Sequence, residues 1–204
     1  MKKVFSSIWF RCVSVLLCIS IIAGGGLALL NDVLYVSPEE RTARSIKKIY
    51  GTVVEYDSLL DADIDGAEVI YSDEMGEITK VFRIGEESSN SYDMLFKSTG
   101  NNGYKGGTIT LWVKVVFEGT TYKIDKVVLE SFTKQTLMSK LDGSFYSGFL
   151  IDVTDAYKNG ELFSATDSSS ENYNPISGAT FSANSAVNAV NLVLKCINDK
   201  GWEK

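Results

Sequence analysis

The chain has 204 residues, contains no histidine and has a formal net charge of −6. Without histidine it lacks the commonest general base and the usual haem ligand, and a Ser-His-Asp hydrolase is excluded. Its three cysteines, Cys12, Cys18 and Cys196, provide neither an iron–sulfur centre nor a disulfide framework. Residues 31–204 carry all 26 acidic and 17 of the 20 basic side chains, and this net charge of −9 argues against nucleic-acid binding.

The first predicted element is an uncharged apolar stretch, Cys12–Leu30. As a helix, these residues span about 28 Å, close to the roughly 30 Å thickness of the hydrocarbon core of a bilayer. Three basic side chains lie within residues 1–11, and the positive-inside rule therefore places that segment in the cytoplasm and the rest of the chain beyond the membrane. The prediction is a single-pass membrane anchor over residues 12–30. A cleaved signal peptide has a similar start and is the alternative.

A second helix is predicted within the juxtamembrane residues 31–51. The run Ser37-Pro38-Glu39-Glu40 has the features of a helix start: Ser caps, Pro occupies the first helical position, and the second Glu completes a capping box. Gly51 is suited to end the helix. Residues 52–204 then form the globular domain.

The middle of this domain is predicted to form β-strands separated by turn signals. The predicted strands are Ala67–Tyr71, Ile78–Ile84, Tyr92–Lys97, Thr108–Phe117 and Tyr122–Glu130. The last two flank Glu118-Gly119 and form the clearest hairpin, because apolar residues alternate along the first of them. With helices before and after the strands, the fold class is predicted to be α+β, an antiparallel sheet with flanking helices.

A glycine-rich turn, Asn101–Gly107, joins two of these strands. Its glycines would let the backbone approach a ligand closely, while an ordinary flexible turn is the other interpretation. Further along, Asp152 and Asp155 lie near each other in sequence. A metal ion needs more oxygen ligands than these two carboxylates supply, so we interpret them as surface residues.

The C-terminal segment from Ser182 predicts an amphipathic helix that ends near Asp199-Lys200-Gly201. Its apolar face comprises Ala183, Ala186, Val187, Val190, Leu194 and Ile197, and a polar stripe comprises Asn184, Asn188, Asn191, Lys195 and Asn198. Ser177, Thr180 and Ser182 are each suited to be the N-cap, which would make capping their only role. A phosphate at this helix start would instead meet free N–H groups and the positive end of the helix dipole.

Residues 174–182 read Asn-Pro-Ile-Ser-Gly-Ala-Thr-Phe-Ser. Within them, Ser177-Gly178-Ala179-Thr180 resembles the flavinylation motif of the FMN-binding domain family. That family includes the G subunit of the Rnf electron-transport complex and the C subunit of the sodium-translocating NADH:quinone oxidoreductase. The resemblance implies that Thr180 carries FMN through a phosphoester bond, with Ser177, Gly178 and Ala179 beside it. Asn174 stands where the family usually has Asp.

Three further segments follow the order of elements in the family. The turn Asn101–Gly107 is similar to its Gly-Tyr-Gly-Gly turn, which makes Tyr104 a candidate contact of the flavin ring. Lys134–Lys140 stands where the family has Glu-Thr-Pro-Gly-Leu-Gly close to the flavin; Thr136 matches the family Thr, whereas the Pro and both Gly are absent. Ser144–Tyr157 resembles the family's short helix.

The resemblance implies an electron-transfer subunit with covalent FMN in an Rnf-like, ion-translocating membrane complex. Other membrane subunits would be its partners, and a flavin transferase would be needed for its maturation. No Gly-x-Gly-x-x-Gly unit is present, so a carrier is expected rather than an enzyme that binds NADH itself. The alternatives are a stand-alone flavinylated extracytoplasmic redox protein and a non-flavinylated interaction subunit.

Overall fold

The computed structural model describes residues 8–61, 69–85, 91–154, 163 and 178–200. The chain divides into two compact units, Met1–Ser45 and Ile46–Lys204. The first unit is helical, and the second contains the sheet, the C-terminal helix and the candidate site.

Helix α1 (Ile8–Leu34) contains the apolar stretch and extends it at both ends. Within it, Trp9–Asn31 is long and apolar enough to cross a membrane. Large apolar side chains along it are exposed, as expected of a segment whose packing partner is lipid or another protein. A signal sequence near an N-terminus has the same properties, so the structure is consistent with both a membrane anchor and a cleaved signal peptide.

Helix α2 (Pro38–Tyr50) begins and ends where its capping residues predict. The Ser37 Oγ accepts a hydrogen bond from the Glu40 N–H at 3.1 Å, which satisfies one of the donors left free at a helix start. At the other end, Gly51 has φ +78° and its N–H donates to the Lys47 carbonyl at 2.8 Å. A positive φ is favourable for glycine, which explains why the helix ends here.

The second unit is built on an antiparallel sheet of six described strands. The strands are β1 (Asp57–Asp61), β2 (Tyr71–Asp73), β3 (Gly76–Ile84), β4 (Ser91–Gly100), β5 (Ile109–Glu118) and β6 (Thr121–Phe132). Their order in the sheet is β1-β3-β4-β5-β6, and β2 pairs with β3. The prediction of an α+β fold with an antiparallel sheet is thereby confirmed.

The predicted strands from Ile78 onward are confirmed, each with small shifts at its ends. The predicted strand Ala67–Tyr71 is placed differently, since the observed β2 begins at Tyr71, and residues 67 and 68 lie outside the described part of the chain. Strand β1 was not predicted. Its sequence, Asp-Ser-Leu-Leu-Asp, is short and has no alternation, so only its pairing with β3 reveals it.

Helix α4 (Thr180–Lys200) packs against one face of the sheet and is buried along most of its length. The other face packs against the last turns of α2, where Ile46 and Ile49 meet Phe82 and Trp112. Helix α4 approaches β4 very closely, because the Ser185 Oγ donates to the Gly100 carbonyl at 2.6 Å. The buried apolar face of α4 was predicted correctly.

The polar stripe of α4 is only partly solvated: Asn198 is exposed, whereas two of its asparagines bond to backbone groups of the domain. Asn191 is buried, and its side-chain amide donates to the Phe163 carbonyl at 2.8 Å and accepts from the Phe163 N–H at 2.9 Å. The Asn188 amide donates to the Asn101 carbonyl at 3.1 Å. These amides replace water as the partners of nearby backbone groups, which allows a polar stripe inside the domain.

The helix predicted over Ser144–Tyr157 is wrong in extent. The observed helix α3 covers only Gly143–Ser147, and the Asp142 carboxylate caps it by accepting from the Ser144 and Phe145 N–H groups. The chain then leaves the helix, and Asp152 forms an antiparallel bridge with Lys123 of β6. Pairing with the sheet therefore competes with helix continuation. Residues 155–157 lie outside the described part of the chain.

Candidate functional site

Three segments that are distant in sequence converge on a pocket at the start of α4. They are the glycine-rich turn, the loop after β6 and the helix start itself. The pocket has a volume of about 340 Å³ and is lined by Tyr104, Thr136, Leu137, Gly178, Ala179, Phe181 and Ser182. A volume of this order lies within the range of small-molecule sites, about 300–1,000 Å³.

A second pocket, of about 430 Å³, adjoins the first. It is lined by Asn102, Gly103, Tyr104, Lys105, Gly106 and Phe181. Tyr104 and Phe181 line both pockets, so the two spaces share two aromatic residues. Phe181 is 62% exposed, which is unusual for a phenylalanine and leaves its ring available to a planar ligand.

The structure brings four of the predicted site residues together around the first pocket: Tyr104, Thr136, Gly178 and Ala179. Thr180 is the first residue of α4 and is exposed, with pocket-lining residues directly before and after it. Ser177 lies outside the described part of the chain, as does Asn174.

The backbone at the start of α4 favours an anion. The helix begins at Thr180, and the Ala183 N–H donates to the Ala179 carbonyl at 2.9 Å. The N–H groups that precede this bond have no acceptor within the helix, and the positive end of the helix dipole lies at the same place. Gly178 has φ +83°, a conformation that a side chain would strain.

The suggestion that Ser182 caps α4 is wrong. Ser182 lies inside the helix and is buried, and its hydroxyl donates to the Gln135 Oε1 at 2.7 Å. Thr180 is itself helical, so it is not the residue that precedes the helix either. Neither Ser182 nor Thr180 is therefore the N-cap residue of α4.

Lysine side chains lie around the pockets although the domain as a whole is acidic. A Cβ added to Gly178 would come within 2.9 Å of the Lys140 Nζ, so this ammonium group lies against the backbone two residues before Thr180. Lys105 lines the second pocket, and its Nζ lies 5.4 Å from the centre of the Tyr104 ring. Positive charge next to a helix N-terminus favours a phosphate ligand.

The backbone of the turn and loop is locally strained. Asn102, Lys105 and Lys134 have φ values of +65°, +52° and +55°. Residues other than glycine rarely adopt these positive φ values, and residues held in this conformation tend to cluster at binding sites. All three lie in the segments that converge on the two pockets.

Gln135 is a site residue that sequence reasoning missed. It is buried in the loop after β6, and its amide contacts both the glycine-rich turn and α4. The resemblance directs attention to the next residue, Thr136, because that residue matches the family Thr. No periodicity marks a buried glutamine in a loop, so only its long-range partners identify it.

Comparison with protein-family profiles, with curated protein sequences and with solved structures finds no match to this chain. Within the described residues, no group of Cys, Asp or Glu side chains is arranged to hold a metal ion. Function is therefore inferred from the geometry of the two pockets and from the motif beside them.

Proposed function

We propose that this protein is an electron carrier with FMN bound covalently to Thr180, acting as a subunit of an Rnf-like membrane complex. One observation carries the proposal. Tyr104, Thr136, Gly178 and Ala179 are separated by up to 75 positions in the sequence, yet they line a single pocket beside Thr180. The resemblance to the FMN-binding domain family implies these same four residues for one cofactor site.

The residues present fit a flavin phosphate. Attachment would join the Thr180 Oγ1 to the phosphorus of an activated flavin phosphate, releasing the hydroxyl proton and the activating group. The resulting phosphodiester keeps one negative charge, which the N–H groups of α4 and the Lys140 ammonium group would stabilise. Thr180 is exposed, as a substrate of a flavin transferase has to be.

The residues also fit a planar ring. Tyr104 and Phe181 are aromatic residues that line both pockets, and Gly106, which lines the second pocket, has open space where a side chain would be. Once bound, the flavin would supply the electron-transfer chemistry, and the protein would hold and orient it. The exposure of Phe181 would leave an edge of the site open to a redox partner.

The membrane part of the proposal is supported by the apolar helix α1 and by the basic residues at its N-terminal end. With the N-terminus in the cytoplasm, the domain lies on the outer side of the membrane. A covalent bond suits that location, because a cofactor held only by equilibrium binding would be lost by dilution. Other membrane subunits would then deliver and accept the electrons.

The test is to express the full chain with and without a flavin transferase and to record ultraviolet-excited fluorescence of the denatured polypeptide on a gel. We expect fluorescence only with the transferase, and none for Thr180→Ala. Thr120→Ala is the matched control, because Thr120 is an exposed threonine in the β5–β6 turn, at the other end of the hairpin. It should fluoresce like the wild type.

The outcomes separate the alternatives. A wild-type chain that never becomes fluorescent would reject flavinylation and favour the non-flavinylated interaction subunit. A fluorescent chain that purifies from its native membrane with other redox subunits supports the Rnf-like complex. A fluorescent chain that purifies alone would instead make it a stand-alone flavoprotein.

A further inference from the structure

We propose that Gln135 is a positioning residue that assembles the pocket before any ligand is attached, by fixing the glycine-rich turn to the start of α4. The effect of Gln135 on bound flavin rests on the proposed function. Its effect on the pocket concerns the chain without cofactor and can be tested separately.

The amide of Gln135 binds three separate segments. Its Oε1 accepts hydrogen bonds from the Tyr104 N–H at 3.2 Å and from the Ser182 Oγ at 2.7 Å. Its Nε2 donates to the Thr133 carbonyl at 3.0 Å. The donor bond fixes the amide to the end of β6, and the two acceptor bonds hold the turn and the helix.

Two glycines make room for this amide. Cβ atoms added to Gly103 and Gly107 would both collide with the Gln135 Nε2, the latter at 2.6 Å. Both glycines are buried, so neither can move toward solvent to relieve the contact. The glycine-rich turn is thus shaped around the Gln135 side chain, which explains the positions of these two glycines without reference to a ligand.

The two groups held by Oε1 lie next to the residues that the proposed function uses. Ser182 is two residues after Thr180, and the Tyr104 N–H belongs to a residue that lines both pockets. One buried acceptor atom therefore sets the separation between the attachment site and the candidate ring contact. Such fixed geometry is what a binding site needs in order to orient a ligand without further ordering cost.

The first measurement uses the full chain without flavin, in detergent micelles. Hydrogen exchange is compared among wild type, Gln135→Leu and Asn188→Ala at two amides: that of Tyr104, which bonds to Gln135, and that of Ala183, which bonds to the Ala179 carbonyl at the helix start. Asn188 is the matched control because its amide also links α4 to this turn, through the Asn101 carbonyl, but it does not line either pocket. We expect Gln135→Leu to raise exchange at both amides by about tenfold or more, the effect of losing one buried hydrogen bond on local opening.

Gln135→Glu provides a rescue with a pH profile. When protonated, the introduced carboxyl group would have the same acceptor as glutamine and an O–H donor for the Thr133 carbonyl. Burial raises the pKa of a carboxyl group, so exchange measured relative to the wild type at the same pH should be native-like at about pH 5 and faster at about pH 8. A residue that only fills space would show no such pH dependence.

The second measurement uses the flavinylated chain. The visible circular dichroism of the flavin reports how rigidly the ring is held, and we expect it to fall strongly in Gln135→Leu and to return in Gln135→Glu at the lower pH. Unchanged exchange in Gln135→Leu, or equal effects in Asn188→Ala, would overturn the inference. If the wild type takes up no flavin, the proposed function fails, and the exchange data still decide the role of Gln135.

Discussion

At the residue scale, the start of α4 places neighbouring hydroxyl groups in opposite surroundings. Thr180 is exposed, whereas Ser182 is buried and bonded to Gln135. One residue can therefore be reached by a modifying enzyme while the other holds the helix start in place. Under the proposed function, this division would let the segment accept a bulky group without loosening the fold around it.

Burial also controls the chemistry of the cysteine in α4. Cys196 is fully buried, and loss of solvation is the main reason why the pKa of its thiol is raised to about 12, with the nearby Asp199 adding to the effect and Lys200 opposing it. The neutral thiol is the unreactive form, since the thiolate is the nucleophile. Cys196 should therefore be inert in the folded protein.

We predict that a maleimide at about pH 8 leaves Cys196 unmodified in the folded full chain and modifies it after denaturation. Asn198→Cys is the control, because position 198 is exposed on the same helix and should react rapidly. Peptide mass mapping distinguishes the two sites. Labelling of Cys196 in the folded chain at the rate of position 198 would contradict its burial.

The same pKa shift has a consequence for stability. A thiol whose folded pKa lies above its unfolded value of 9.0 contributes stability that is complete below about pH 9. That contribution is lost as the pH rises through the interval between 9.0 and about 12. Replacement by Ser or Ala should reduce this alkaline loss of the free energy of unfolding.

At the scale of elements, the contact between α4 and β4 positions the site. Gly100 ends β4 and leads directly into the glycine-rich turn, and a Cβ at this position would come within 2.6 Å of the Ala189 N and closer still to the Ser185 carbonyl. Backbone atoms on both sides cannot move apart locally. The absence of a side chain at residue 100 therefore sets how closely the helix packs on the sheet.

We predict that Gly100→Ala lowers the free energy of unfolding by about 3 kcal/mol or more, the upper range of overpacking. Gly143→Ala is the matched control, because a Cβ there meets nothing within 4 Å at the start of α3. It should change stability by less than about 1 kcal/mol and in the stabilising direction. Urea unfolding measures the free energy of unfolding of both variants. Equal values would contradict the close packing of α4 against β4.

The sequence best predicts the elements in which buried residues recur at a regular spacing. Strands β3 to β6 and helix α4 belong to this group, because alternation and helical spacing record which residues face the core. Strand β1, the early end of α3 and the burial of Asn191 were not predicted, since each depends on a partner distant in sequence. The motif at Thr180 directs attention to the candidate site, whereas Gln135, with its partners at Tyr104 and Ser182, could be found only in the structure.

At the scale of the whole molecule, the chain combines an apolar N-terminal helix with an α+β domain that carries the candidate site. We propose from the positive-inside rule that the domain lies outside the cytoplasm, so a reporter that requires export for activity, fused after Lys204, should be active. Replacing Lys2, Lys3 and Arg11 by Glu is the control and should strongly reduce that activity. An inactive reporter on the unchanged chain would contradict the proposed orientation, and a mature N-terminus beyond Leu30 would identify a cleaved signal.

Mass spectrometry of the proteolytic peptide that contains Thr180 shows whether this residue carries FMN, as we propose. The chain should be isolated from cells that contain a flavin transferase. We expect the peptide to be heavier by the mass of FMN less one water, with fragment ions that place the added mass on Thr180. An unmodified peptide, or added mass located on another hydroxyl residue such as Ser177, would rule out attachment at Thr180.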